Sequence, residues 1–148
     1  MNYFTETPFI LDGATGTELM KMKMPAGVCT EEWILENPDI FINIQKKYVE
    51  AGSQAVYAPT FGANRLKLKH SNLRYDVYNT NIRLLELSKK ATGAKAYIGG
   101  DISPVGELLE PLGSLSAELL TEAYREQMQA FYDFSVEYKR WKYLFKIW

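Results

Sequence analysis

Three short, largely apolar runs, Phe9–Leu11, Ala55–Phe61 and Lys95–Ile102, are each followed by polar punctuation and then by a longer amphipathic segment. Runs of this kind suit strands buried on both faces, and the longer segments supply helices to cover them. Strand-to-helix crossovers of this length imply a parallel sheet, right-handed connections and helices packed outside. The chain therefore reads as α/β, with its functional residues expected in the loops at the carboxyl ends of the strands.

The first of these loops is the most distinctive. In PFILDGATGTEL, Pro8–Leu19, a strand ends in a carboxylate, Asp12, and runs into Gly13, Ala14, Thr15, Gly16 and Thr17. Such a loop either turns sharply or receives a ligand on its backbone N–H groups. No Gly-Lys-Ser/Thr follows, so it is not a P-loop, and it lacks the three-glycine dinucleotide pattern. A phosphate on the backbone amides stays open. A phosphoryl-accepting role for Asp12 is disfavoured because the Thr-Gly-Thr spacing is off by one residue. Glu18–Met22 can begin a helix, but Pro25 and Gly27 soon interrupt any periodicity, and a long loop-like connection is expected.

Helix signals gather in ENPDIFINIQKKYVEAGS. Asn37 suits an N-cap, Pro38 the first helical position and Asp39 the positive helix end. Phe41, Ile44, Tyr48 and Ala51 form one apolar stripe, and Gly52 is placed to close the helix in the left-handed conformation. In the second run Pro59 cannot donate to a sheet ladder and marks the strand's end, leaving Thr60 at the mouth as Asp12 is. A second helix is expected over about Asp76–Ala91, with Tyr78, Ile82 and Leu85 at helical spacing and Gly93 as the stop. The third run ends near another carboxylate, Asp101. A punctuated loop, SPVGELLEPLGSLS, then leads to a helix over about Ala117–Phe134 with Leu120, Tyr124, Gln127 or Met128, and Phe131 on one face.

Composition excludes several classes of function. The 148 residues are 47% apolar, enough for one domain with an ordinary core. The 17 basic residues are offset by 18 acidic ones, which leaves no electrostatic footprint for nucleic acid. No stretch of about 18 apolar residues offers a membrane span, and MNYFTETPF does not read as a secretory signal. With a single cysteine, Cys29, there is no disulfide framework, so the reading is a cytoplasmic protein without nucleic-acid or membrane partners. Cys29 has no neighbouring thiol or histidine from which to build a zinc site. His70, the only histidine, lies among Lys67, Lys69 and Ser71 and reads as a solvated surface residue.

Spacing alone leaves the function open, but three long motifs in order resemble one family. LDGATGTEL at Leu11–Leu19, ENPDIFINIQKKYVEAGSQAVYAPTFGANRLKL at Glu36–Leu68 and GGDISPVGELLEPLG at Gly99–Gly113 resemble the homocysteine S-methyltransferases, including the homocysteine-binding module of cobalamin-dependent methionine synthase. The similarity spans roughly residues 8 to 134. It implies the N-terminal portion of a TIM-type (β/α)8 barrel, about three βα units over 1–137 followed by a divergent basic and aromatic tail over 138–148. It also implies homocysteine as substrate, bound at the mouth with its thiol on Zn2+. The metal lowers the thiol pKa, and the resulting thiolate takes a methyl group from methylcobalamin, methyltetrahydrofolate, S-methylmethionine or a betaine-like donor to give methionine.

Carried over to these positions, the resemblance implies that Asp12 accepts a hydrogen bond from the homocysteine ammonium. The Gly13–Ala14 backbone and Thr60 hold its carboxylate, and Phe61, Gly62 and Asn64 shape the wall. Asp101, with Pro104 and Gly106, forms the third loop. The family's zinc-binding cysteines belong to later strands, and none is present here. The family's fourth strand is replaced by YKRWKYLFKIW, Tyr138–Trp148, read as a helix extension or as unrelated sequence after a lost reading frame. Three readings follow: a truncated and inactive relative; half of a split methyltransferase completed by a C-terminal half; or a non-catalytic amino-acid-binding or interaction module. An incomplete barrel with open edges is also expected to self-associate.

Overall fold

The computed structural model describes residues 10–69, 71, 76–137 and 143–147. His70, Phe9 and positions 138–142 and 148 lie outside the described residues. Helices α1 (Thr15–Lys21), α2 (Thr30–Glu36) and α3 (Pro38–Glu50) precede strand β1 (Ala55–Tyr57). A short α4 (Arg65–Leu68) and the long α5 (Val77–Thr92) lead to β2 (Tyr97–Ile102), followed by α6 (Ala117–Glu137) and β3 (Tyr143–Ile147).

The strongest helix signals act as their chemistry requires. Pro38 opens α3, whose Phe41 and Ile44 are buried, and Gly52 follows at φ +105°. Asn37 makes no side-chain cap on α3; its Nδ2 instead donates to the Trp33 carbonyl at 2.9 Å and closes α2. Asp76 does cap α5, accepting from the Asn79 N–H at 2.7 Å, and Gly93 ends that helix in the left-handed conformation.

The sheet is parallel with order β1-β2-β3, Ala55 facing Tyr97 and Ile98 facing Tyr143. Two expectations change here. Of the expected first strand only Ile10 and Leu11 are described, and there Leu11 makes one parallel bridge to Ala55 while the two stay 55% and 40% exposed. A strand buried on both faces needs cover on both faces, and this one lacks it. At the other end, residues 143–147 are a strand on the free edge of β2, where a helix extension was one of the two expected readings. Tyr143, Leu144, Phe145 and Ile147 all favour extended backbone.

One face of the sheet meets the helix layer, in which α5 lies between α3 and α6. Val56, Ala58, Ile98 and Ile102 pack with Leu85, Phe131 and Phe134. The Phe131 ring sits where a Cβ on Gly100 would be, 2.6 Å away, so glycine is required there for the helix to approach. A second cluster, Leu19, Ile34, Phe41, Ile44 and Leu84 among others, joins α1 and α2 to α3 and α5. The expected loop between Leu19 and Asn37 thus contains a packed helix.

Candidate functional site

The loop after Leu11, helix α2, the loop after β1 and Asp101 on β2 converge at the carboxyl end of the sheet, while Pro104 and Gly106 of the loop after β2 are not among the lining residues. Between them lies a cavity of about 330 Å³ lined by Gly13, Thr15, Gly16, Leu19, Thr30, Glu31, Ile34, Tyr57, Ala58, Pro59, Phe61 and Asp101. These residues include two carboxylates and no Lys or Arg.

Asp12 stands beside this cavity, its Oδ2 accepting the Tyr57 N–H at 3.1 Å. Burial pushes its carboxyl up to about 6, against the lowering effect of backbone hydrogen bonds, and Asp101 nearby adds to the rise. The same two carboxylates, after burial, raise the Tyr57 phenol. A partly desolvated carboxylate with a like charge nearby and, among the described residues, no cation acting on it favours a positively charged ligand group. Gly13 is needed for shape, because a Cβ there would lie 2.8 Å from the Tyr48 ring.

Thr60 is fully buried, and its Oγ1 both donates to the Asp101 carbonyl at 3.0 Å and accepts the Asp101 N–H at 2.9 Å. The hydroxyl therefore ties the β1 loop to β2. Behind it, Gln127 Nε2 donates to the Thr60 carbonyl at 2.6 Å and to Asn81 Oδ1 at 3.2 Å, while Gln45 Nε2 donates to the Tyr57 carbonyl at 2.8 Å. These amides come from three helices and are fully buried. Main-chain carbonyls facing apolar helices would otherwise be left without partners, at a cost of about 1–3 kcal/mol each.

Of the residues expected to form the site, Gly13, Phe61 and Asp101 line the cavity and Asp12 adjoins it. Ala14 is exposed at the start of α1. Asn64 is buried as the N-cap of α4, its Oδ1 accepting the Lys67 N–H at 3.1 Å. Sequence reasoning missed Glu31, Gln45 and Asn81, and left Gln127 as an alternative to Met128. Glu31 is 7% exposed and accepts the Gly62 N–H at 2.7 Å. The acidic first turn of α2, Glu31 and Glu32, was the only signal available.

Cys29 is half-buried, with its Sγ donating to Glu31 Oε2 at 3.5 Å. Burial, with Glu31 beside it, raises the thiol. It is a neutral donor, the opposite of a metal-binding thiolate. Among the described residues no three His, Cys, Asp or Glu side chains are grouped to hold a metal. The residues present do not fit the zinc that the resemblance implies. No helix among the described residues is long and apolar enough to cross a membrane.

The fold is α/β, with a cavity at the carboxyl ends of parallel strands, where ligands bind in sheets of this kind. The chain belongs to the homocysteine S-methyltransferase family, whose sequence model matches residues 9–141. It is 28% identical over 145 residues to methionine synthase of Mycobacterium tuberculosis and 27% identical over 127 residues to that of Mycobacterium leprae. The matched regions are 85% and 78% of this chain but 12% and 10% of those enzymes. In fold it is similar to the metallated form of the homocysteine methyltransferase MmuM from Escherichia coli, with a TM-score of 0.71 and 18% identity over 96% of this chain and 64% of that one.

Proposed function

We propose that the cavity binds the α-amino-acid end of homocysteine and that these residues form the substrate-holding wall of a methyltransferase built on a TIM-type barrel. The observation that carries this reading is Asp12, a carboxylate pushed up to about 6 beside a cavity in whose lining, among the described residues, there is no basic residue. An ammonium group supplies the missing charge, in a contact stronger than a neutral hydrogen bond. The Gly13–Ala14 backbone holds the ligand carboxylate, Phe61 and Asn64 shape the wall, and Asp101 closes the third side, its main chain held by Thr60.

Methyl transfer needs a sulfur nucleophile, and in this family zinc supplies it by lowering the thiol pKa. These 148 residues contain one cysteine and one histidine, so the ligands must come from beyond them, on the same or another polypeptide. Alone, the chain holds substrate without turning it over. A complementing segment is supported by the outer face of α6, where Met128 and Tyr132 are 47% and 62% exposed; without one, the chain self-associates. Cys29 as a free thiol fits a reducing cytoplasm.

Calorimetry with homocysteine tests the site: binding is expected, and it disappears in Asp12→Ala. Binding should also weaken below about pH 6, where the Asp12 carboxyl takes up its proton and no longer attracts an ammonium. An unaltered affinity in Asp12→Ala would remove the reading. Stoichiometric zinc together with methionine formation by the purified chain would overturn the inactivity.

A further inference from the structure

Glu31 is a buried carboxylate that no catalytic step requires. It projects from a helix the motifs did not announce, yet both its oxygens are engaged. Oε1 accepts the Gly62 N–H at 2.7 Å, and Oε2 accepts from the Cys29 thiol at 3.5 Å. It lines the 330 Å³ cavity and also a second, neighbouring cavity of about 270 Å³ bounded by Cys29, Phe61, Gly62 and Lys67. Phe61 borders both cavities, 45% exposed, with Lys67 Nζ 5.0 Å from its ring centroid.

The carboxylate and the glycine are fitted to each other. A Cβ on Gly62 would lie 2.7 Å from Glu31 Oε1 and 3.0 Å from Oε2, so any other residue there displaces the carboxylate. Burying an ionised group is costly unless hydrogen bonds hold it, and a bond to a charged group is among the stronger ones available. The contact joins α2 to the loop after β1, 31 positions apart in sequence.

From this geometry we infer that Glu31 is a positioning residue: its grip on the Gly62 amide holds Phe61 as the wall between the two cavities and so sets the size of the ligand side chain admitted. The inference rests on the amino-acid reading of the cavity only for the identity of the ligand. Glu31→Ala frees the Phe61–Gly62 turn and joins the two spaces. Glu31→Gln keeps an acceptor oxygen for the amide and keeps the wall. Gly62→Ala pushes the carboxylate away and reproduces Glu31→Ala, but adds nothing once Glu31 is already alanine.

The test combines amide NMR with binding on the 148-residue chain. The Gly62 amide proton is expected far downfield in the parent and in Glu31→Gln, and shifted upfield in Glu31→Ala and in Gly62→Ala. Homocysteine affinity should fall about tenfold or more in Glu31→Ala, the weight of one bond to a charged group, and recover most of that in Glu31→Gln. The preference for homocysteine over an S-butyl homologue should shrink in parallel. An unmoved Gly62 resonance in Glu31→Ala, additive effects of the two alanine variants, or a Glu31→Gln variant as impaired as Glu31→Ala would each overturn the inference. If the parent binds no homocysteine, the amino-acid reading fails, while the Gly62 resonance and the additivity of the unfolding free energies still decide the anchor. Asp12→Ala separates the two claims, since it should abolish binding and leave the Gly62 resonance in place.

Discussion

The two faces of the sheet are built on different principles. On the helix side, Val56, Ile98 and Ile102 meet Leu85, Phe131 and Phe134, and contact is so close that Gly100 has no room for a Cβ. Strand pleating sends Tyr57 and Asp101 to the other side, where both remain partly accessible and Asp12 joins them. Shape controls the first face and charge the second. Substitutions on the helix side should therefore act on stability, and those on the open side on ligand binding and pH dependence.

The largest effect is expected from Phe131→Ala, which empties a fully packed position and should cost about 3–5 kcal/mol in denaturant unfolding. Gly100→Ala acts on the same contact from the other partner and should cost about 1–3 kcal/mol, because the added Cβ meets the Phe131 ring. In the Phe131→Ala background most of that cost should vanish; additive losses would mean that the ring and the glycine do not share one contact.

On the open face the sign reverses. The folded chain holds the Asp12 proton more tightly than the unfolded chain, with a value of about 6 against 3.8. The favourable difference is full below about pH 3.8 and is lost as pH rises to about 6. Asp12→Asn, which still offers Tyr57 an acceptor, should flatten this dependence and raise stability at neutral pH by about 1–2 kcal/mol, while abolishing ammonium binding. A loss of stability at neutral pH in Asp12→Asn would show that the open face is not controlled by charge. The smallest effect belongs to the exposed pair Arg65–Glu126, 2.8 Å apart; Glu126→Ala should change the unfolding free energy by less than about 1 kcal/mol.

Of the residues the motifs singled out, Gly13, Phe61 and Asp101 border the cavity, and Thr60 and Asn64 are buried behind it. Asp12, Phe61 and Asp101 were legible because a polar or aromatic residue at the end of an apolar run has few other reasons to be there. Thr60 was placed at the mouth by the same logic, yet its hydroxyl is spent on the Asp101 main chain. Helix α2 went unseen because its seven residues, TEEWILE, are too few to establish a period before Asn37–Pro38 starts the next helix. At the stripe of α6 Gln127 and Met128 looked equivalent; Gln127 is buried and Met128 is 47% exposed, because the Thr60 carbonyl behind the stripe needs a donor.

Amino-acid order alone settled the α/β alternation, the helix ends at Pro38, Asp76, Gly52 and Gly93, and the family, since each depends on local geometry or on motifs contiguous in the chain. Tertiary structure decided which side chains serve the cavity and which serve the main chain behind it. Glu31 reaches Gly62, Gln127 reaches Thr60 and Gln45 reaches Tyr57 across 31, 67 and 12 positions. Such pairings arise from the need of buried polar groups for partners, wherever the packed chain brings them, and leave no periodic trace in sequence.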